Sequence, residues 1–377
     1  MGAVDDAGGG GEVDVFDAGR CADGYALGLA VGRRFGEAIR SRMRRDAMLW
    51  RQLLPFAATA PGRPLVDALR DANHTRKEIL PFITNEDHHH DEEEADDDCS
   101  DVLLVSESTA IAGHKEDANV ALLGHTYVVK ATSPDGSSSF TAYTYAGELP
   151  TCAFGFNSNG VVGCQCHSGT SISNRFQVLT GLVRHSLSTL SRRRAARSSP
   201  APSPGTSCRA TSSKRRASTT PSHRCSSFYG SISSVCAFLE QRVSSPDMSV
   251  GHSYNLMDVR RRRIVNVETA SGRRFSVREA GAAPFFHANM YRHLQVKQVH
   301  DENSMARERR AAELSPDSKE KALSLLGDTA DGKYPIYMTG PTLYTLCTVL
   351  VDLDEETMTI YKGNPMNRDA VRVFRML

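Results

Sequence analysis

The sequence predicts an α+β fold in which antiparallel sheets stack and a helical segment precedes them. Three observations carry this: an amphipathic stretch after residue 21, a series of alternating strand-length runs from residue 99, and a second helical block over 302–326. With 377 residues and 40% hydrophobic content, the chain can bury one large core or two modest ones.

Bulk properties exclude some function classes. The 45 basic and 44 acidic residues leave a formal charge of +1, so the whole chain makes no electrostatic case for nucleic acid or a membrane surface. Charge is uneven, with acid gathered at 86–98 and base at 192–216. Nine cysteines without CxxC spacing read as reduced intracellular thiols. The N-terminus MGAVDDAGGGGEVDV lacks a signal pattern and a myristoylation site, and no run of 18 apolar residues follows. The expected location is cytoplasmic, since the C-terminal FRML is no clear peroxisomal address.

Taken in order, residues 1–21 form an N-terminus expected to be disordered, its first twelve residues Gly-rich and acidic. Residues 22–98 form a helical N-terminal chain. Leu27, Val31, Phe35 and Ile39 recur every four residues, Met48, Leu53 and Leu54 continue the stripe, and LVDALRDANH gives a second short helix. The acidic linker at 85–98 contains His88, His89 and His90. Consecutive residues on a flexible segment rarely fix a metal's ligands, so a solvated linker is the reading.

Residues 96–119, DDDCSDVLLVSESTAIAGHKEDAN, organise the rest. VLLV, a polar SES and TAIAG read as a hairpin, which puts Cys99 at the start of a strand. If the bond between Asp98 and Cys99 were cut, the new α-amine would lie beside the thiol as a general base. HTYVVKAT, SSFTAYTYAG and CAFGFNSNGVVGCQCHSG continue as strands between PDG and GELP turns. SISNRFQVLTGLVRHSL reads as a helix burying Phe176, Leu179 and Leu182.

Residues 184–242 are Ser-, Arg- and Pro-rich without period and cannot build a core. A basic disordered insert, a nuclear-localisation patch and out-of-frame or unspliced translation all account for them, and the last is preferred. Strands resume with SVGHSYNLMDV, RIVNVETA and RRFSVRE. In SPDSKEKALSLLG, Ser315 is expected to cap a helix closed by Gly327. TLYTLCTVLVDL and TMTIYKG form a final hairpin.

CSDVLL, GHKEDAN, FTAYTYAGELPTCAFGFNSNGVV, GHSYNLMDV and TLYTLCTVLVDLDEETMTIYKGNP occur in that order. Together they resemble a plant-type member of the acyl-coenzyme A:6-aminopenicillanic acid acyltransferase family, also called peptidase family C45. The resemblance implies an N-terminal nucleophile hydrolase with a four-layer αββα sandwich over 99–377, interrupted by 184–242. It also implies self-cleavage between Asp98 and Cys99, with 22–98 as the propeptide-like chain that stays associated. A further helix and strand stretch expected near residue 75 is absent from the sequence.

By that resemblance Cys99 is the nucleophile, and Asp117 is the carboxylate that orients its amine. Lys115 stands where an Asn is common. Asn157, in the turn FNSNG, and Asn255, mid-strand in HSYNLMD, are candidate oxyanion donors; for Asn157 plain turn chemistry is the competing account. Glu116, on the opposite strand face from Asp117, is expected to be a surface group. His114, His125, His167, His252 and His287 leave a papain-type Cys and His dyad as an alternative without its sequence signature. His287 and Asn289, in HANMY, resemble a segment lining the substrate cleft.

The expected activity is hydrolysis or transfer at a non-peptide carbon–nitrogen amide bond through a cysteine thioester. The partner is a small-molecule amide or acyl donor, acyl-coenzyme A among the donors, with no metal or organic cofactor. The alternative is a non-catalytic or defective paralogue whose basic insert serves interactions.

Overall fold

The computed structural model describes residues 12–46, 50–51, 54–63, 99–148, 150, 153–167, 252–270, 274–298 and 300–377. The expectations for 1–11, the second N-terminal helix, the acidic His-bearing linker, Asp98, the helix at 171–187 and the segment 184–242 lie outside the described residues.

The chain begins with β1 (Val15–Arg20), which corrects the expectation of disorder through residue 21. Phe16 and Ala18 pack beneath the first helix while Val15 packs on the opposite side, a short alternation that suits a sheet edge. Helix α1 (Gly24–Arg45) follows; the Asp23 side chain caps it by accepting from Ala26 N at 2.8 Å. Arg42, Arg44 and Arg45 in its last turn face the negative end of the helix dipole. Its four-residue spacing buries Leu27, Val31 and Phe35 as expected, with Ile39 partly buried beside them. A short helix α2 (Leu54–Ala57) follows.

From Cys99 the chain is mainly sheet. The strands are β2 (Ser100–Val105), β3 (Ala110–Asn119), β4 (Thr126–Thr132), β5 (Ser139–Tyr145), β6 (Phe154–Asn157) and β7 (Val161–His167). Then come β8 (His252–Asp258), β9 (Arg263–Ala270), β10 (Arg274–Glu279) and β11 (Phe285–His287). Helices α3 (Glu302–Leu314) and α4 (Lys319–Leu326) precede β12 (Leu343–Asp352), β13 (Thr357–Tyr361) and β14 (Ala370–Arg375). One sheet has the order β1-β4-β5-β6-β7-β8-β9-β10 and the other β11-β2-β3-β12-β13-β14. All pairings are antiparallel except β1 with β4.

Three apolar clusters define four layers. α1 buries its stripe against Tyr127, Val129, Phe140 and Ala142 on the outer face of the larger sheet. Leu103, Ala112 and Val349 of the smaller sheet meet Phe154, Val162 and Met257 of the larger one. Val102, Leu104 and Ile111 pack outward against Ala311 of α3 and Leu323 and Leu326 of α4. The architecture is the expected αββα sandwich. Among the described residues no helix is long and apolar enough to cross a membrane.

One helix boundary departs from expectation. Ser318, not Ser315, caps α4, accepting from Lys321 N, and Ser315 instead ends α3 in a left-handed conformation with φ of 38°. SPDS offers two serines, and the second is the one placed to bond a free N–H of the first turn. Gly327 closes α4 as expected.

Candidate active site

The site grows from β2 and β3. Ser100 pairs with Lys115 and Asp101 with His114, so strand alternation fixes what shares a face. Asp101, His114 and Glu116 point between the two sheets, and Ser100, Lys115 and Asp117 point toward α3 and α4. Both faces are covered, one by the second sheet and one by helices. That overturns the expectation that Glu116 lies on the surface, since it is only 2% exposed.

Cys99 stands immediately before β2 and is buried. Its Sγ lies 3.6 Å from the main-chain oxygen of Asp117, so the hairpin brings residues 99 and 117 together as expected. The contact is through the Asp117 backbone, however. The Asp117 carboxylate accepts from Thr345 Oγ1 at 2.6 Å and pairs with the buried Lys115 ammonium. Sequence alternation already placed Lys115 and Asp117 on one face; their mutual pairing explains how a lysine is tolerated there.

Between the sheets, His114 is clasped by two carboxylates. Nδ1 lies 2.7 Å from Asp101 Oδ1, and Nε2 lies 2.7 Å from Glu116 Oε2. Burial opposes a charge on His114, but Asp101 first and Glu116 second outweigh it and hold the imidazole well above its ordinary range. Burial likewise pushes Asp101 up, yet the His114 charge and hydrogen bond, aided by His287, override it and hold the carboxyl well below the usual range. Glu116 is pushed up by burial, and His114 offsets that only in part. The imidazolium therefore pairs chiefly with Asp101. With both nitrogens committed to carboxylates, His114 has no lone pair with which to take a proton from Cys99. A dyad built on this histidine lacks its base.

The larger sheet supplies the facing wall. Cys164 on β7 pairs with Asn255 on β8, and Asn255 Nδ2 donates to Cys164 Sγ at 3.6 Å. Asn255 Oδ1 accepts from Asn266 Nδ2 at 2.6 Å, so the amide is oriented with its N–H side toward the thiol-bearing wall. Cys164 Sγ lies 3.9 Å from Asp101 Oδ1 across the layer. Asn255 is thus brought to the cluster around Cys99.

Asn157 is not. It ends β6 three positions beyond Phe154, the residue that pairs with Cys164, which is about 10 Å along a strand. Its Oδ1 accepts from Asn159 N at 3.0 Å and Val161 N at 3.1 Å, which is turn chemistry. His287 and Asn289 reach the site as protein contacts. His287 pairs with Asp101 in register, its Nδ1 3.5 Å from Asp101 Oδ2, and Asn289 Oδ1 accepts from Arg307 Nη2 at 2.8 Å.

Arg307 is a residue that sequence reasoning missed. It is fully buried on α3, and Nη1 donates to the Cys99 main-chain oxygen at 3.0 Å and to Ser100 Oγ at 2.9 Å. The signal was a charged residue inside the stripe Ser304, Arg307 and Ala311, where an apolar side chain belongs. Asp101 and Glu116 were legible only as polar residues in a strand, and His114 as one of the candidate dyad histidines.

No curated protein sequence matches this chain. Among solved structures, an N-acylethanolamine-hydrolyzing acid amidase ortholog from Caenorhabditis elegans is similar at 10% identity and TM-score 0.38, covering 68% of this chain and 93% of that one. Penicillin V acylase from Agrobacterium tumefaciens is similar at 8% identity and TM-score 0.38, covering 70% and 83%. A mutant of conjugated bile acid hydrolase from Clostridium perfringens is similar at 11% identity and TM-score 0.36, covering 74% and 92%. A sequence model described as acyl-coenzyme A:6-aminopenicillanic acid acyl-transferase matches residues 105–188 and 229–367, more than half of the chain. On that match this chain belongs to the acyl-coenzyme A:6-aminopenicillanic acid acyl-transferase family.

Proposed function

We propose that the protein is an N-terminal-nucleophile amidohydrolase or acyltransferase, activated by cleavage between Asp98 and Cys99 and acting on a non-peptide amide. Family membership supports the coarse statement, an enzyme of acyl transfer. The observation that carries the finer one is the surroundings of Cys99. Its nearby imidazole holds a carboxylate on each nitrogen, so the base for the thiol has to be another group, and a freed α-amine on the same residue supplies one.

The free amine of Cys99, with intrinsic pKa near 8, accepts the Sγ proton. Sγ then forms a bond to the acyl carbonyl carbon, and the carbonyl π electrons move to oxygen. The Asn255 Nδ2 group donates to that oxyanion, a contribution of about 3 to 4 kcal/mol for one good donor. Collapse breaks the carbon–nitrogen bond, the Cys99 ammonium returns the proton to the departing amine, and a thioester remains. Water or an acceptor amine discharges it by the same route. Arg307 holds the Cys99 carbonyl and keeps the head of β2 in place throughout.

A specific observation favours a second reading, a non-catalytic paralogue. The Asp117 carboxylate is paired with Lys115 and Thr345, on the strand face opposite Cys99 Sγ. A denaturing gel separates the two. Processing gives two fragments whose larger member starts at Cys99 by N-terminal sequencing, and Cys99→Ala stays whole. A wild-type chain that remains intact after prolonged incubation, with no amide turnover, leaves the paralogue reading standing alone.

A further inference from the structure

Around His114 lies a ligand set of which the proposed acyl transfer uses only Cys99. The ligand atoms of Cys99, His114 and Glu116 lie within 4.8 Å of one another, and so do those of Asp101, His114 and Cys164. All five side chains are buried. Thiolate, imidazole and carboxylate together suit a borderline-soft divalent cation, and a tetrahedral zinc site places its ligand atoms about 3.5 Å apart. Adjustments of order 1 Å therefore close either set, and the pairing of His114 Nε2 with Glu116 has to open slightly to admit an ion.

We propose that Zn2+ binds between Cys99 Sγ, His114 and Glu116, and that it holds the nucleophile in an inactive, metal-bound form. This set is favoured over the one containing Cys164. Cys164 Sγ already accepts from Asn255 Nδ2 and faces the Asp101 carboxylate, which opposes a second negative charge on that sulfur. Asp101 is further engaged by His287, whereas Glu116 has no basic side chain other than His114 bonded to it among the described residues. Three protein ligands leave a fourth position for water. Binding releases the thiol proton and the imidazolium proton to solvent, and the metal takes the place of the latter in holding the carboxylate. Coordination draws the thiolate's charge onto the metal and lowers its nucleophilicity, so acyl transfer is suppressed while the metal stays.

Cobalt(II) serves as the probe, because a thiolate ligand gives it a near-ultraviolet charge-transfer band. The full chain, reduced and freed of metal by a chelator, is titrated with Co2+ and then with Zn2+. The expected result is a band that saturates near one equivalent, collapses on adding Zn2+, persists in Cys164→Ser and is missing from Cys99→Ala. Outer-shell changes cost about 10- to 100-fold in metal affinity, so Glu116→Gln, which removes a direct ligand, is expected to weaken Co2+ by at least that much. Circular dichroism and melting of each variant check that the fold survives. Absence of the band in the wild type, its retention in folded Cys99→Ala, or its loss only in Cys164→Ser overturns the assignment. The readout is the thiol itself, cut or uncut. A negative result therefore leaves the processing question untouched; an unprocessed chain that binds Co2+ leaves the metal site intact and removes only the inactivation, which rests on Cys99 being the nucleophile proposed above.

Discussion

At the scale of single residues, the decisive grouping is Asp101, His114 and Glu116. Removing one partner of a buried ionic group costs about 3 to 5 kcal/mol, because the remaining charge stays behind in a dry interior. His114→Gln is expected to lower the stability in urea by that much near neutrality. The pH dependence has a definite sign. His114 is raised in the folded protein, so its contribution is complete below about 6.5 and fades as pH rises through the folded value. Asp101 is lowered, so its contribution is present above about 4 and fades as pH falls. The stability gap between wild type and His114→Gln should therefore narrow toward alkaline pH; a gap that stays constant from pH 6 upward contradicts the imidazolium. The two asparagines separate in the same spirit. Asn255→Ala is expected to lower kcat by about 100- to 1,000-fold with the fold retained. Asn157→Ala should reduce stability by about 1 kcal/mol and leave kcat close to wild type, because its side chain serves a turn. Sequence made the alternation along GHKEDAN legible, and with it the separate faces of Glu116 and Asp117. It could not show that both faces are covered, since that depends on layers built by distant parts of the chain.

At the scale of elements, most strands and helices follow from pattern and turn chemistry. β2 and β3, the β8 to β9 connection and the β12 to β13 hairpin lie where alternation placed them. β1 escaped because its alternation is short and abuts a Gly-rich run, and its partner β4 is more than 100 residues away. Two substitutions probe how the elements hold together. A Cβ on Gly155 would meet Thr141 O at 2.7 Å and Ala142 Cα at 3.1 Å, both backbone atoms of the neighbouring strand β5. Gly155→Ala therefore has to push β6 off β5, and a loss of about 1 to 3 kcal/mol in denaturant unfolding is expected. On the same face of that sheet, Phe35 of α1 stacks on Tyr127 with ring centroids 3.6 Å apart. Phe35→Ala should cost about 3 to 5 kcal/mol and loosen α1 before the sheets, read as early loss of amide protection in residues 27–39.

At the scale of the whole molecule, the site exists only because two sheets face each other. Cys99, Asp101, His114 and Glu116 come from one sheet, and Cys164 and Asn255 from the other. Their meeting depends on β7 and β8 being neighbours, although residues 168–251 separate them in sequence. His167 and His252 are register partners at the open ends of those strands, so the intervening chain leaves and returns at points about 5 Å apart. A connection between such close ends does not have to be long. The family match skips residues 189–228, which fall inside the Ser-, Arg- and Pro-rich segment. Deleting 189–228 removes nearly half of the connection, and halving a loop changes its closure entropy by only about 0.6 kcal/mol. The deleted protein is expected to melt within about 3 °C of the full chain, with the same denaturant slope and the same processing pattern on a gel. A drop of about 10 °C or more, or a lower slope, would mean that 189–228 packs on the sandwich, which its composition argues against because it offers few aliphatic side chains to bury. The same deletion bears on the catalytic proposal, since β8 carries Asn255: turnover that survives shows that β7 and β8 keep their register without the insert.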